Sequence, residues 1–310
     1  EPYPEAAPLP APAALTIWRR IGLERMLYVV LLVALLAALA VPTLAANLQT
    51  PPQAPGAAEL FQRVNTLTDK DVVLIGYEWD ARRLSELKPL EQAIIGQLIQ
   101  KHVNLVLVST DPQGTLLLFD LRDQLEAAGY RGGGEDYILL GYKPGGELAL
   151  RSLVQDFQAA LRADFQGNDA TIGALAGGLK TGKPLISLDD ISMILVLADD
   201  AADVQSWVEQ IRRSVPQQPL AFLLPAEAAP IVQPYLQPPR DPRIAPIYHL
   251  AGKQGALAYE QLRGAEHTPA VQVEREMGQQ RLSILVFVVL LVIGGAVVGV
   301  GGALQRRTGA

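Results

Sequence analysis

Through the middle of the chain, short runs rich in apolar and β-branched residues recur, each followed by a segment whose apolar positions repeat at helical spacing. Residues 72–77 (VVLIGY) precede a helix predicted from about Leu87, with Leu90, Ile94 and Leu98 on one face beside Ile95 and Ile99. Residues 103–109 (VNLVLVS) lead to a helix carrying Leu117, Leu118, Leu121 and Leu125. After 137–142 and the turn Pro144-Gly145-Gly146, the spacing predicts one long helix bearing Leu150, Leu153, Val154, Phe157 and Leu161. Residues 192–198 (SMILVLA) lead to a helix with Val204, Val208 and Ile211, and 220–224 and 244–250 supply two further strands, each again followed by a helical stretch.

Parallel neighbours need a crossover, and continuously apolar strands need cover on both faces. Strand-then-helix units in this order therefore predict an α/β fold, a Rossmann-like doubly wound parallel sheet of about six strands over 58–266. The Gly-rich stretch 167–184 has no clear partner and reads as an extra helix or an excursion.

Two uncharged apolar runs, 26–46 and 282–304, bracket this domain. As a helix rising ~1.5 Å per residue, each is long enough to cross a hydrocarbon core of ~30 Å. Arg19, Arg20 and Arg25 precede the first run, and no basic residue follows it before Arg63. The positive-inside rule then places the N-terminus in the cytoplasm, and two crossings return the C-terminus there. The expected order is a cytoplasmic Pro/Ala-rich tail (1–25), a span (26–46), a Pro-rich spacer (47–57), an extracytoplasmic domain (58–266), a linker (267–281), a second span (282–304) and a short cytoplasmic tail (305–310). A cleaved signal peptide is the competing reading of the first run, since Thr43-Leu44-Ala45 loosely resembles a cleavage site.

A hydrophobic content of 49% with 19% charged residues suits a soluble domain joined to two spans. The net charge of −6 argues against a nucleic-acid partner, and the absence of cysteine excludes disulfides, thiolate metal sites and Cys nucleophiles.

In doubly wound sheets ligands bind at strand tips. The loops there carry Glu78, Trp79 and Asp80, then Asp111, then Lys143, Gly145 and Gly146, which are the candidate ligand-binding residues; caps and turns are their alternative role. Glu78 and Asp80 alternate at a strand end, so both carboxylates can face one cleft as an acid/base pair, with Trp79 a platform for a ring; Arg82 and Arg83 stand ready to neutralise them. Residues 177–183 (GGLKTGK) have phosphate-loop spacing, but Pro184 stands where Ser or Thr would bind magnesium, and no strand precedes them. Asp199, Asp200 and Asp203 read as a helix N-cap rather than a cation site. His102, His249 and His267 have no ligand spacing, and no Gly-x-Ser-x-Gly elbow is present. No catalytic residue, metal or cofactor is expected.

The layout resembles a group of uncharacterised bacterial membrane proteins with one span at each end and a Rossmann-like extracytoplasmic domain. The likeness rests on Gly76-Tyr77-Glu78-Trp79-Asp80, on 135–147 (EDYILLGYKPGGE) and on 191–210. It implies no activity and carries over no catalytic residue.

Two functions follow as expectations. The first is a non-catalytic accessory or scaffold subunit, with other membrane subunits and the bilayer as partners. Gly295 and Gly299, at Gly-x-x-x-Gly spacing in the second run, would let another helix approach closely. The second is a membrane-anchored binding or hydrolytic domain using the strand-tip cleft for a sugar, peptide or lipid headgroup.

Overall fold

A computed structural model describes residues 54, 56–237, 241–264, 284 and 287, and the fold it shows lies within the unit Pro51–Val273. Helix α1 (Ala57–Asn65) leads into β1 (Val72–Glu78). A 3-10 turn (Ala81–Arg83) and α2 (Leu84–Gln100) follow, then β2 (Asn104–Ser109), α3 (Pro112–Ala127), β3 (Tyr137–Tyr142), α4 (Glu147–Gln155) and α5 (Phe157–Leu161). The second half runs β4 (Met193–Ala198), α6 (Ala201–Ser214), β5 (Leu220–Leu224), α7 (Ala229–Val232), β6 (Ile247–Ala251) and α8 (Gly252–Arg263).

The six strands form one sheet in the order β3-β2-β1-β4-β5-β6, and every neighbouring pair is parallel. Strands β1, β2, β4 and β5 are buried along their whole length, which is why they read as unbroken apolar runs rather than alternating ones. Alternate side chains feed two cores. Val73, Ile75 and Tyr77 of β1 pack with α1, α2, α3 and α8 through residues such as Leu60, Ile94, Leu121 and Tyr259. Val72 and Leu74 pack on the opposite face with α4, α5 and α6 through Leu150, Phe157 and Trp207.

The long helix expected after Pro144 is corrected to two. Asp156 leaves helical geometry (φ −144, ψ 78), and its side chain accepts the Ala159 N–H, so the chain ends α4 and caps α5 in one step. After β5 the helical stretch shrinks to the four residues of α7, which Pro234, lacking an N–H, stops from continuing. The 167–184 stretch is an excursion of turns that buries Leu175 and Ala176 in the second core. Its lysines are held by carboxylates of the chain itself, Lys180 by Asp136 and Lys183 by Asp190.

Both outer strands are obstructed. On β3 the register slips beside Gly141, whose φ is +66, and Phe165 donates its N–H to the Leu139 carbonyl (3.0 Å). Beside β6, Gly56 lies so close that a β-carbon on it would sit 2.7 Å from the His249 carbonyl oxygen.

Among the described residues no helix is long and apolar enough to cross a membrane. The expected spans 26–46 and 282–304, with Gly295 and Gly299, lie outside the described residues apart from Ile284 and Phe287, and so do the N-terminal tail and His267.

Candidate functional site

In this strand order the chain turns opposite ways from β1 and β4, so a crevice opens where those two neighbours end. Strand β1 delivers Glu78 and Asp80, 2% and 3% exposed. The β2–α3 loop brings Thr110 and Asp111, and the start of α6 brings Asp199, Asp200 and Asp203.

Glu78 ties three elements together. Its carboxylate accepts the Thr110 N–H (3.0 Å) and the Thr110 hydroxyl (2.8 Å), and it accepts the Trp207 indole N–H from α6 at 3.3 Å. Burial outweighs these donors and pushes the Glu78 carboxyl up to about 7. Trp207 reaches it because residue 76 is glycine: a β-carbon there would lie 2.6 Å from the indole ring.

Asp80 caps the 3-10 turn by accepting the Arg82 N–H (2.7 Å), and it pairs with the exposed Arg82 guanidinium. That hydrogen bond from the Arg82 side chain holds the Asp80 carboxyl below its usual range. Asp199 accepts the Asp80 N–H (3.2 Å). Asp200 caps α6 by accepting the N–H groups of Ala202 (2.8 Å) and Asp203 (3.0 Å), the role the sequence implied. Asp111 caps α3 through the Gln113 N–H (2.9 Å). Burial, followed by the neighbouring charges of Asp200, Glu78 and Asp199, lifts Asp203 to about 8.

These contacts decide what the crevice offers. A phosphate at a strand tip is held by free N–H groups at helix N-termini and by glycines that let the backbone approach. Here the N–H groups of Asp80, Arg82, Thr110, Gln113, Ala202 and Asp203 all point at carboxylates of the chain. The segment from Glu78 to Arg83 contains no glycine. The site is acidic, with Arg82 as the counter-charge over Asp80. Oxygens of Asp199, Asp200 and Asp203 lie within 4.8 Å of one another. Asp199 and Asp200 already accept backbone donors, from Asp80 and from Ala202 and Asp203.

Glu78, Asp80 and Asp111 thus meet at one crevice, and the other sequence candidates fall elsewhere. Trp79 is fully buried, its ring 6.1 Å from that of Tyr77 in the first core. Lys143 stands just past β3 and donates to the Ala163 carbonyl (2.8 Å). Gly145 and Gly146 have φ of +117 and +53, shaping the turn into α4. The sequence reading missed Thr110 and Trp207 as partners of Glu78. The available signal was Gly76, a single glycine in a strand of bulky residues, marking where a large side chain from another element must lie.

Comparison with models of protein families, with curated proteins and with solved structures returned no match to this chain.

Proposed function

We propose that the chain is a non-catalytic accessory subunit of a bacterial membrane protein complex, held by its two apolar runs and offering its α/β domain outside the cytoplasm as a protein-docking body. The observation that carries this reading is the self-capped crevice. The groups with which this fold usually grips a nucleotide are engaged by Glu78, Asp80, Asp111, Asp199 and Asp200. A crevice closed in this way stiffens the strand tips, which suits a scaffold. The obstructed outer strands direct a partner to helical and loop surfaces rather than to strand addition.

The test is purification of the native protein in mild detergent, followed by identification of what accompanies it. Stoichiometric membrane subunits are expected, and Gly295→Leu with Gly299→Leu is expected to release them. A protein that purifies alone while hydrolysing a substrate, or whose unfolding temperature rises with a nucleotide, would overturn the reading.

A further inference from the structure

The excursion between α5 and β4 folds into a small lobe at the end of the sheet where the strands begin. Leu175 donates its N–H to the Gly134 carbonyl (2.8 Å), just before β3, and Leu185 donates to the Ala176 carbonyl (2.9 Å). Leu175, Ala176, Leu185 and Leu188 fill the second core from that side. The lobe nevertheless turns three large apolar side chains outward: Ile172 and Leu179, each 86% exposed, and Ile186, 56% exposed. They lie together. Leu179 donates its N–H to the carbonyl of Ala174 (2.9 Å), two residues after Ile172, and Ile186 follows the Leu185 that bonds Ala176. Apolar side chains grouped outside, on a backbone fixed by hydrogen bonds, mark a contact surface.

Two observations say what covers it. The first is charge along the strand axis. Segments that leave the strands carry acids: Asp80 after β1, Asp111 after β2, Glu147 after β3, Asp199 after β4 and Glu227 after β5. Segments that lead into the strands carry bases: Lys70, Lys101, Arg131, Lys183, Arg213 and Arg243, in order from β1 to β6. Acids at this second end are mostly engaged, Asp136 and Asp190 by Lys180 and Lys183 and Asp241 by Arg243. Asp69 and Asp189 stay exposed and are offset by Lys70 and Lys101. A negatively charged surface therefore repels the strand tips and accepts the opposite end. The second observation is where the chain leaves the fold. Helix α8 runs back from the tip of β6 and, at ~1.5 Å per residue, is at least as long as that strand, so Gly264, which closes it, stands at the strand-start end. Residues 265–281 then lead to the second apolar run. At no more than ~3.6 Å per residue they reach ~60 Å at most, which keeps the domain at high effective concentration beside whatever that run is embedded in.

We propose that the strand-start end of the domain rests on the bilayer surface, with Ile172, Leu179 and Ile186 inserted among the headgroups of a leaflet that contains anionic lipid. This rests on the reading that the two apolar runs hold the chain in a membrane. The apolar trio supplies the attraction, and the acidic strand tips set the direction by pointing away from the lipid. Leu116, Leu148 and Ile231 at the tips are exposed as well, but they sit on three separate helices among the acids. The crevice and its rim then face away from the bilayer, where a partner subunit meets them.

The test exploits the absence of cysteine. The full chain carries Leu179→Cys or, as the control at a strand tip, Leu148→Cys, each labelled with an environment-sensitive fluorophore. It is reconstituted in vesicles of phosphatidylcholine and phosphatidylglycerol, with or without nitroxide-bearing lipid. The label at 179 is expected to be quenched by the nitroxide at least about threefold more than the label at 148, in keeping with shallow insertion of apolar side chains. In a chain labelled through Ile186→Cys, Ile172→Glu with Leu179→Glu is expected to reduce quenching at least about threefold, since charges replace the inserted groups. Each substituted side chain is exposed, so the core is left intact. Equal quenching at 179 and 148, a label at 179 that is shielded from water yet untouched by the nitroxide, as in a protein contact, or unchanged quenching in the glutamate variant would each overturn the proposal. Extraction with alkaline carbonate separates the two levels. A chain that stays in the vesicles with its 179 label in water sinks this inference alone, whereas a chain that washes off sinks the membrane reading beneath it.

Discussion

The paired carboxyls on β1 and α6 should make the domain lose stability as pH rises through neutrality. Glu78 is lifted from its ordinary 4.5 to about 7, and Asp203 from 3.8 to about 8. A folded state that holds protons more tightly than the unfolded chain is most stable below the unfolded pKa values, near pH 4, and loses that stability until pH exceeds the folded values, near 8. For Glu78 the lift corresponds to about 3 kcal/mol, at ~1.4 kcal/mol for each tenfold change in proton affinity. Asp203 and Glu78 repel each other, so their contributions overlap rather than add. The perturbation is Asp203→Asn, which removes one charge and leaves the Asp200 cap untouched. Thermal unfolding of the full chain is followed by tryptophan fluorescence between pH 5 and 9. The Asp203 lift, converted at the same rate, is about 6 kcal/mol, part of it shared with Glu78, so at pH 9 the variant should be more stable than the parent by about 3–6 kcal/mol, or upwards of roughly 6 °C for a domain of this size. At pH 5 the two should nearly coincide. Asp71, Asp136 and Asp190 have lowered pKa values, and the stability they supply is lost only on acidification below the ordinary carboxylate range, outside this window. His249, whose pKa burial lowers, gains stability as pH rises through its ordinary value and does so in both chains, so the difference between them is decisive: an Asp203→Asn chain with the parent's profile would refute the reasoning.

Two further substitutions probe the architecture. At Gly114, the third residue of α3, a β-carbon would collide with the Tyr77 carbonyl oxygen and lie 2.8 Å from the Ser109 hydroxyl; Gly114→Ala should cost about 3 kcal/mol in urea unfolding, and a cost near zero would contradict the close approach of α3 to β1. Asp200→Ala, which removes the α6 cap, should cost about 1 kcal/mol by the same measurement, with faster amide exchange in the first turn of α6.

The strands were the most legible part of the sequence. Parallel strands covered on both faces are nearly pure apolar runs, so the runs 137–142 and 220–224 have the same limits as strands β3 and β5. The apolar pattern puts the last strand at 244–250 and it lies at Ile247–Ala251, because its edge position leaves it only partly buried and blurs the pattern. Order within the sheet was hidden, since each strand is equally apolar and its neighbours are chosen by crossovers far away in sequence. Helix α1 was not anticipated: it is nine residues long, and only Ala57, Leu60 and Val64 are buried. At the crevice the carboxylates were visible as residue types, but their donors are backbone N–H groups, which every sequence possesses and none displays. Trp79 shows the opposite failure, an aromatic at a loop that reads as exposed and is packed in the core.

The slipped register on β3 and the glycine pressed against β6 bear on life at high density. When copies of a chain meet repeatedly, one unprotected strand is enough to zip them into a growing sheet. With Phe165 on one side and Gly56 on the other, strand addition between copies is blocked at both edges of the sheet.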